Sequence, residues 1–234
     1  MALTVDSMAQ LHRHNEHVRY VVVFQNWLKP AGASFDHLHK QVVAIDEVGA
    51  DNESVLPKAV LDPGIFNRWG PDFAVEHGLV LACNDGAVMT VGFGHRYPSV
   101  EVWSTSRVDQ PWRVDDEGID AVSDLLHAAH VAVSDDVPAN EEWHYRPMGT
   151  GVPVPWRIIL KLRTSTLAGF EGGTKIYVNT ISPTTLAAML LPKLFEARAA
   201  GRIAAMNLGD ECEIPRGVPV SYTHLRAHET REDL

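Results

Sequence analysis

Cysteine is scarce in this chain of 234 residues: Cys83 and Cys212 are the only two. Two are too few for a disulfide framework or a cysteine-rich zinc site. Long hydrophobic runs are missing too, and nothing approaches the roughly 18 uninterrupted apolar residues of a membrane helix. The opening MALTVDSMAQLHRHNEH has neither the basic start nor the apolar stretch of a secretory signal. Basic charge is in deficit, with 20 Lys and Arg against 30 Asp and Glu and a formal charge of −10. Nucleic acid and anionic membrane surfaces call for a basic stripe, so both are excluded as broad-surface partners. These absences make a cytoplasmic location the expectation. What is present is an ordinary packing composition, 45% hydrophobic and 21% charged, too apolar for disorder.

Hydrophobic spacing then divides the chain. Asp6 or Ser7 is placed to cap a helix over about 7–19, with Met8, Leu11 and Val18 on its apolar stripe and His12 facing water. Arg19–Asn26, rich in valine, reads as a buried strand. A loop with Pro30 and Gly32 leads to a second strand over His37–Ile45. Residues 47–74 are rich in Asp, Pro, Gly and Asn and read as a linker. Beyond them the spacing predicts strands at Gly78–Cys83, Ala87–Gly92, Glu101–Ser104, Arg157–Leu162 and Lys175–Asn179. Asp85-Gly86 is a hairpin turn signal between the first two of these. Helices are expected at Asp116–Val133 and Thr184–Ala200, the latter opened by Ser182-Pro183 and stopped by Gly201. Hairpins and helices without strand–helix–strand alternation imply an α+β fold, a mostly antiparallel sheet with helices packed on one face. The last segment, SYTHLRAHETREDL (221–234), breaks the composition before it and reads as a non-native tail.

The chemistry concentrates in His37-Leu38-His39-Lys40-Gln41. On a strand, alternate residues share a face, so His37, His39 and Gln41 would project together while Leu38 and Val42 enter the apolar layer. Asn26 ends the preceding strand, and Gly32 beside Ser34 suits a turn whose amides and hydroxyl meet an anion. From the residues alone, a binding site and a plain polar strand face both remain open.

The pattern F-Q-N-x5-G-x-S-x2-H-x-H-x-Q over Phe24–Gln41 resembles the active-site segment of galactose-1-phosphate uridylyltransferases, in the histidine-triad (HIT) superfamily. Weaker likeness continues through Val91–Trp103, Trp143-His144, Pro155–Arg163 and Ala168–Glu171. The resemblance implies a HIT-like fold in which residues 1–46 end a first repeat and 75–220 form a second. The family's strands before the first helix are absent, which implies an N-terminally truncated fragment. It also implies nucleotidyl transfer, with a nucleoside monophosphate (UMP in the family) passing from a nucleotide sugar to a sugar 1-phosphate through a covalent adduct on His39.

In that scheme a backbone carbonyl near His37 holds the His39 Nδ1 proton, and Gln41 hydrogen-bonds a phosphate leaving group that needs little protonation. Asn26, Gly32 and Ser34 would hold phosphate oxygens. The family's dimer would bring Glu171 to the partner's His39. His37 would ligate a structural zinc whose other ligands precede the chain. Two departures are visible: Ile159 and Lys161 stand where the family has metal-binding histidines, and Phe170 replaces a tyrosine. Two other classes stay open: a dinucleoside-polyphosphate phosphorylase using inorganic phosphate, and an inactive nucleotide-binding fragment. Elsewhere the plainer readings prevail, with His12, His14, Glu16 and His17 on a solvated helix face, His127 and His130 as surface or boundary residues of a helix, and Cys83 in the core.

Overall fold

A valine run and an acidic pair lie on neighbouring strands of one sheet. Residues 1–35 and 37–217 are described by a computed structural model. The strands are β1 (Tyr20–Trp27), β2 (Lys40–Ile45), β3 (Val80–Cys83), β4 (Ala87–Gly92), β5 (Ser99–Ser104), β6 (Ala139–His144), β7 (Arg157–Leu162) and β8 (Asn207–Leu208). The helices are α1 (Ala2–His14), α2 (Ala50–Leu61), α3 (Ile65–Arg68), α4 (Pro71–Glu76), α5 (Asp116–Val133), α6 (Gly169–Thr174) and α7 (Pro183–Ala199). The strands form one eight-stranded sheet in the order β2-β1-β6-β7-β5-β4-β3-β8, with antiparallel neighbours. The α+β, mostly antiparallel architecture is as the sequence implied. The two units read from the sequence share this sheet, because β1 pairs with β6.

Local chemistry explains the well-placed elements. Asp115 caps α5 by accepting from the Gly118 amide at 2.9 Å. Ile119, Val122, Leu126, Ala129 and Val133 then recur at helical spacing and are buried. Ser182 caps α7 through the Thr185 amide at 3.1 Å, and Pro183 takes the first helical position. In the β3–β4 turn the Asn84 carboxamide oxygen accepts from the Gly86 and Ala87 amides at 3.2 and 2.8 Å.

Side chains alternate between two faces. Val21, Val23, Trp143, Ile158, Leu160, Val100 and Val102 belong to the main core, which includes α1, α5 and α7. The opposite face presents Phe24, Asn26, Asn140, Glu142, His144 and Lys161. Toward β5 that second face is also covered, since Ala59 of α2 and Phe66 of α3 pack with Trp103 and Val154.

Several expectations need correction. The segment read as a linker, 47–74, is helical and packed rather than loose. Helix α1 spans Ala2–His14, not 7–19, because Val5 and Met8 anchor it while Val18 is buried outside it. His12 turns inward and lies against Trp112, ring centroids 4.6 Å apart. No strand forms at Lys175–Asn179, where Ile176 and Val178 stay exposed rather than entering a core. Strand β6 escaped the sequence reading because Glu141 interrupts an alternation that buries Ala139, Glu141 and Trp143. The tail at 221–234 lies outside the described residues. Among the described residues, no helix is long and apolar enough to cross a membrane.

Candidate functional site

The β1–β2 connection tightens immediately after Trp27. Leu28 and Gly32 both adopt positive φ, 65° and 86°, and a single 3₁₀ turn lies between them. Glycine suits the second position because no Cβ opposes the left-handed conformation. The amides of Ala31 and Ala33 donate to Leu28 O at 3.0 and 3.2 Å, and that of Gly32 to Lys29 O at 2.9 Å. These amides therefore close the turn itself, which corrects the expected amide cradle at Gly32. Lys29 and Ser34, both exposed, and Asn26 are among the polar side chains at this turn.

Regular pairing starts at Lys40, three residues later than expected, so His37 and His39 occupy the extended approach to β2. Alternation still holds across the join. Gln41 is opposite Phe24 on the open face, while Leu38 and Lys40 line a cavity on the helix side. His37 is exposed, but its carbonyl accepts from His39 Nδ1 at 2.8 Å. A carbonyl can only accept, so Nδ1 carries the proton and Nε2 of the neutral ring keeps its lone pair.

Beneath this segment is a buried carboxylate that sequence reasoning missed. Glu141, 1% exposed, accepts from Lys40 Nζ, from Trp143 Nε1 at 2.7 Å and from His130 Nε2 at 3.0 Å. Burial raises its pKa, but the His130 hydrogen bond and the Lys40 charge outweigh that and hold it at about 2. His130, half-buried at the surface boundary as expected, also joins this network. Its cavity has a volume of about 540 Å³ and includes Trp27, Leu38 and Leu126 in its wall.

On the open face a second cavity, about 470 Å³, is lined by Phe24, Asn26, Asn140, Glu142 and His144. Asn26 pairs with Asn140 in the β1–β6 register. Asn140 Nδ2 donates to Asn26 Oδ1 and to the Ala31 carbonyl, both at 2.7 Å, and Arg163 donates to Asn140 Oδ1 at 2.9 Å. Glu142 accepts from Lys161 Nζ at 2.6 Å and lies 3.6 Å from His144 Nε2. Burial pushes its carboxyl up, but the His144 contact and the Lys161 charge win and bring it to about 2. Burial lowers the His144 pKa, against the pull of Glu142.

The remaining expected residues are apart from this group. Glu171 accepts from the Ala168 amide at 3.0 Å, closing onto the start of its own short helix rather than reaching the 26–41 segment. Phe170 beside it is 55% exposed. Among the described residues no group of three or more His, Cys, Asp or Glu could hold a metal ion. His37 therefore has no ligating company here, and neither do His12, His14 and His17. Cys83 is buried, as expected of a core thiol.

Comparison with solved structures agrees with the uridylyltransferase-like fold that the resemblance implies. The chain belongs to the family described as "Domain of unknown function (DUF4921)", which it matches over residues 1–219. No curated protein matches it. Among solved structures it is similar to an ADP-glucose phosphorylase from Arabidopsis thaliana with bound ADP-glucose. The identity is 21% and the TM-score 0.71, over 81% of this chain and 64% of that one. A uridylyltransferase structure matches at 17% identity and a TM-score of 0.70, over 84% of this chain and 68% of that one. A galactose-1-phosphate-uridylyltransferase-like protein from Arabidopsis thaliana matches at 20% and 0.69, over 81% and 67%. The chain thus has the fold of these uridylyltransferase-like proteins and spans under two thirds of the length of the phosphorylase.

Proposed function

We propose that this DUF4921 chain carries the nucleotidyl-transfer site of an enzyme that moves a nucleoside monophosphate, UMP by resemblance, between a nucleotide sugar and a sugar 1-phosphate. His39 Nε2 attacks the α-phosphorus, the bond to the bridging oxygen breaks, and the electron pair leaves with the sugar 1-phosphate. A second sugar 1-phosphate oxygen then attacks the nucleotidyl-imidazole and releases His39. Gln41, next on the same strand face, hydrogen-bonds the departing phosphate, which requires little protonation. Asn26 and Ser34 hold non-bridging oxygens, and Gly32 supplies the turn that brings them together. Glu171 acts on the sugar of a partner subunit's site in a homodimer. The described residues do not fit a metal, so no step is routed through one.

The observation supporting this reading most is the 2.8 Å contact from His39 Nδ1 to the His37 carbonyl. It commits the ring to the tautomer that a phosphorus nucleophile needs. A second reading keeps the same first step and gives the nucleotide to inorganic phosphate instead. The fold shared with an ADP-glucose phosphorylase favours it.

Incubation with UDP-glucose or ADP-glucose in the absence of acceptor, followed by intact mass, tests both readings. The expected product is an acid-labile gain of one nucleotide, mapped to His39 and abolished in His39→Asn. Release by galactose 1-phosphate or glucose 1-phosphate supports the transferase, and release by inorganic phosphate alone supports the phosphorylase. No gain with either nucleotide sugar overturns both.

A further inference from the structure

The contacts joining β6 to the β1–β2 connection define the orientation of two carboxamides. Arg163 can only donate, so the Asn140 atom 2.9 Å from it is the oxygen. The Ala31 carbonyl can only accept, so the Asn140 atom 2.7 Å from it is the nitrogen. Asn140 is therefore oriented from both ends by groups that cannot exchange roles. Its remaining N–H meets Asn26 at 2.7 Å, and only the Asn26 oxygen can receive it. Asn26 is left with Nδ2, its donor end, turned away from Asn140 in the cavity that both residues line.

We propose that Asn140, oriented by Arg163, is a positioning residue for phosphate recognition: it holds Asn26 with N–H, not oxygen, offered to the phosphoryl group. This rests on the nucleotidyl-transfer reading above. A phosphate oxygen only accepts, so an Asn26 turned over would set one acceptor against another and lose a charge-assisted hydrogen bond.

Asn140→Asp is nearly isosteric and keeps the acceptor for Arg163, so the fold is retained while both donors are lost. Asn140→Leu removes the donors without adding charge. The readout is the single-turnover rate of nucleotide labelling on His39, with whichever of UDP-glucose and ADP-glucose labels the unmodified protein, together with a thermal midpoint. Both variants, and Asn26→Ala, should label about 10- to 100-fold more slowly, the range for one hydrogen bond to a charged group. Combining Asn26→Ala with either Asn140 variant should slow labelling no further than one change alone, because Asn140 acts only through Asn26. A purely structural role, or simple charge repulsion, would instead give multiplying losses and overturns the assignment. Wild-type labelling in both Asn140 variants also overturns it while leaving the nucleotidyl-transfer reading standing. No label on the unmodified protein overturns that reading and this assignment together.

Discussion

Glu141 and Glu142 are neighbours on β6, yet they face opposite sides of the sheet and meet different chemistry. Glu141 points into the helix-covered core, where Lys40, His130 and Trp143 occupy both of its oxygens. Glu142 borders the open cavity and is shared between Lys161 and His144, with a third of its side chain exposed. Both carboxyls stand at about 2. Similar titration therefore conceals different roles. The inner carboxylate fastens β2 from beneath by Lys40, the residue directly after His39. The outer one helps set the charge of the cavity wall in which Asn26 and Asn140 lie. Consecutive residues on one strand thereby support the candidate site from its two sides.

The sharpest way to break the symmetry is Lys40→Met. It leaves Glu141 buried with only neutral or weakly basic donors, and removing one partner of a buried ion pair costs about 3–5 kcal/mol. Urea unfolding should show that loss in the midpoint with an unchanged slope. The open-face counterpart, Lys161→Met, should cost about 1 kcal/mol or less, because solvent reaches Glu142 and screens the vacancy. Equal losses in the two variants would show that the faces do not differ as described.

Acid titration of the unmodified protein sharpens the same contrast. A carboxyl depressed from 4.5 to about 2 contributes stability that is complete above its unfolded value and disappears as pH falls through the folded one. For Glu141 this is on the order of 3 kcal/mol, lost between about pH 4.5 and 2. Glu141→Gln should flatten the decline of stability over that window, whereas Glu142→Gln should flatten it less, because Glu142 is about one-third exposed and solvent screens its ion pairs. A profile unaffected by Glu141→Gln would remove the buried network as its source.

Much of the sheet was legible because local signals and burial agree there. Ala87–Gly92, Arg157–Leu162 and α5 have the bounds expected from their spacing, and Ser182-Pro183 marks the start of α7. The errors arise where tertiary contacts override composition. The 47–74 segment looks like a linker because it is rich in turn residues, but Ala59 and Phe66 find Trp103 and fold it down. Strand β6 was hidden because a buried glutamate reads as a surface residue until its three donors are known. In the candidate site, the motif singled out Asn26, His39 and Gln41. Glu141 and Asn140 became visible only through the β1–β6 pairing, which brings together residues over a hundred positions apart, and Arg163 only through the β6–β7 side of the same strand. The one usable sequence signal was Lys40 itself, a charge at an alternation position expected to face the core.

That pairing also bears on how the molecule comes to be folded. Asn26 and Asn140 are 114 residues apart along the chain, whereas β1 and β2 can meet as a local hairpin. Early in folding, the hairpin can assemble with one backbone edge of β1 bare, an invitation to other strands. Only closure of the long intervening loop covers that edge, and contacts of such separation are slow to form. The step that aligns the phosphate-binding end of the site is thus the same step that ends the hairpin's exposure to aggregation.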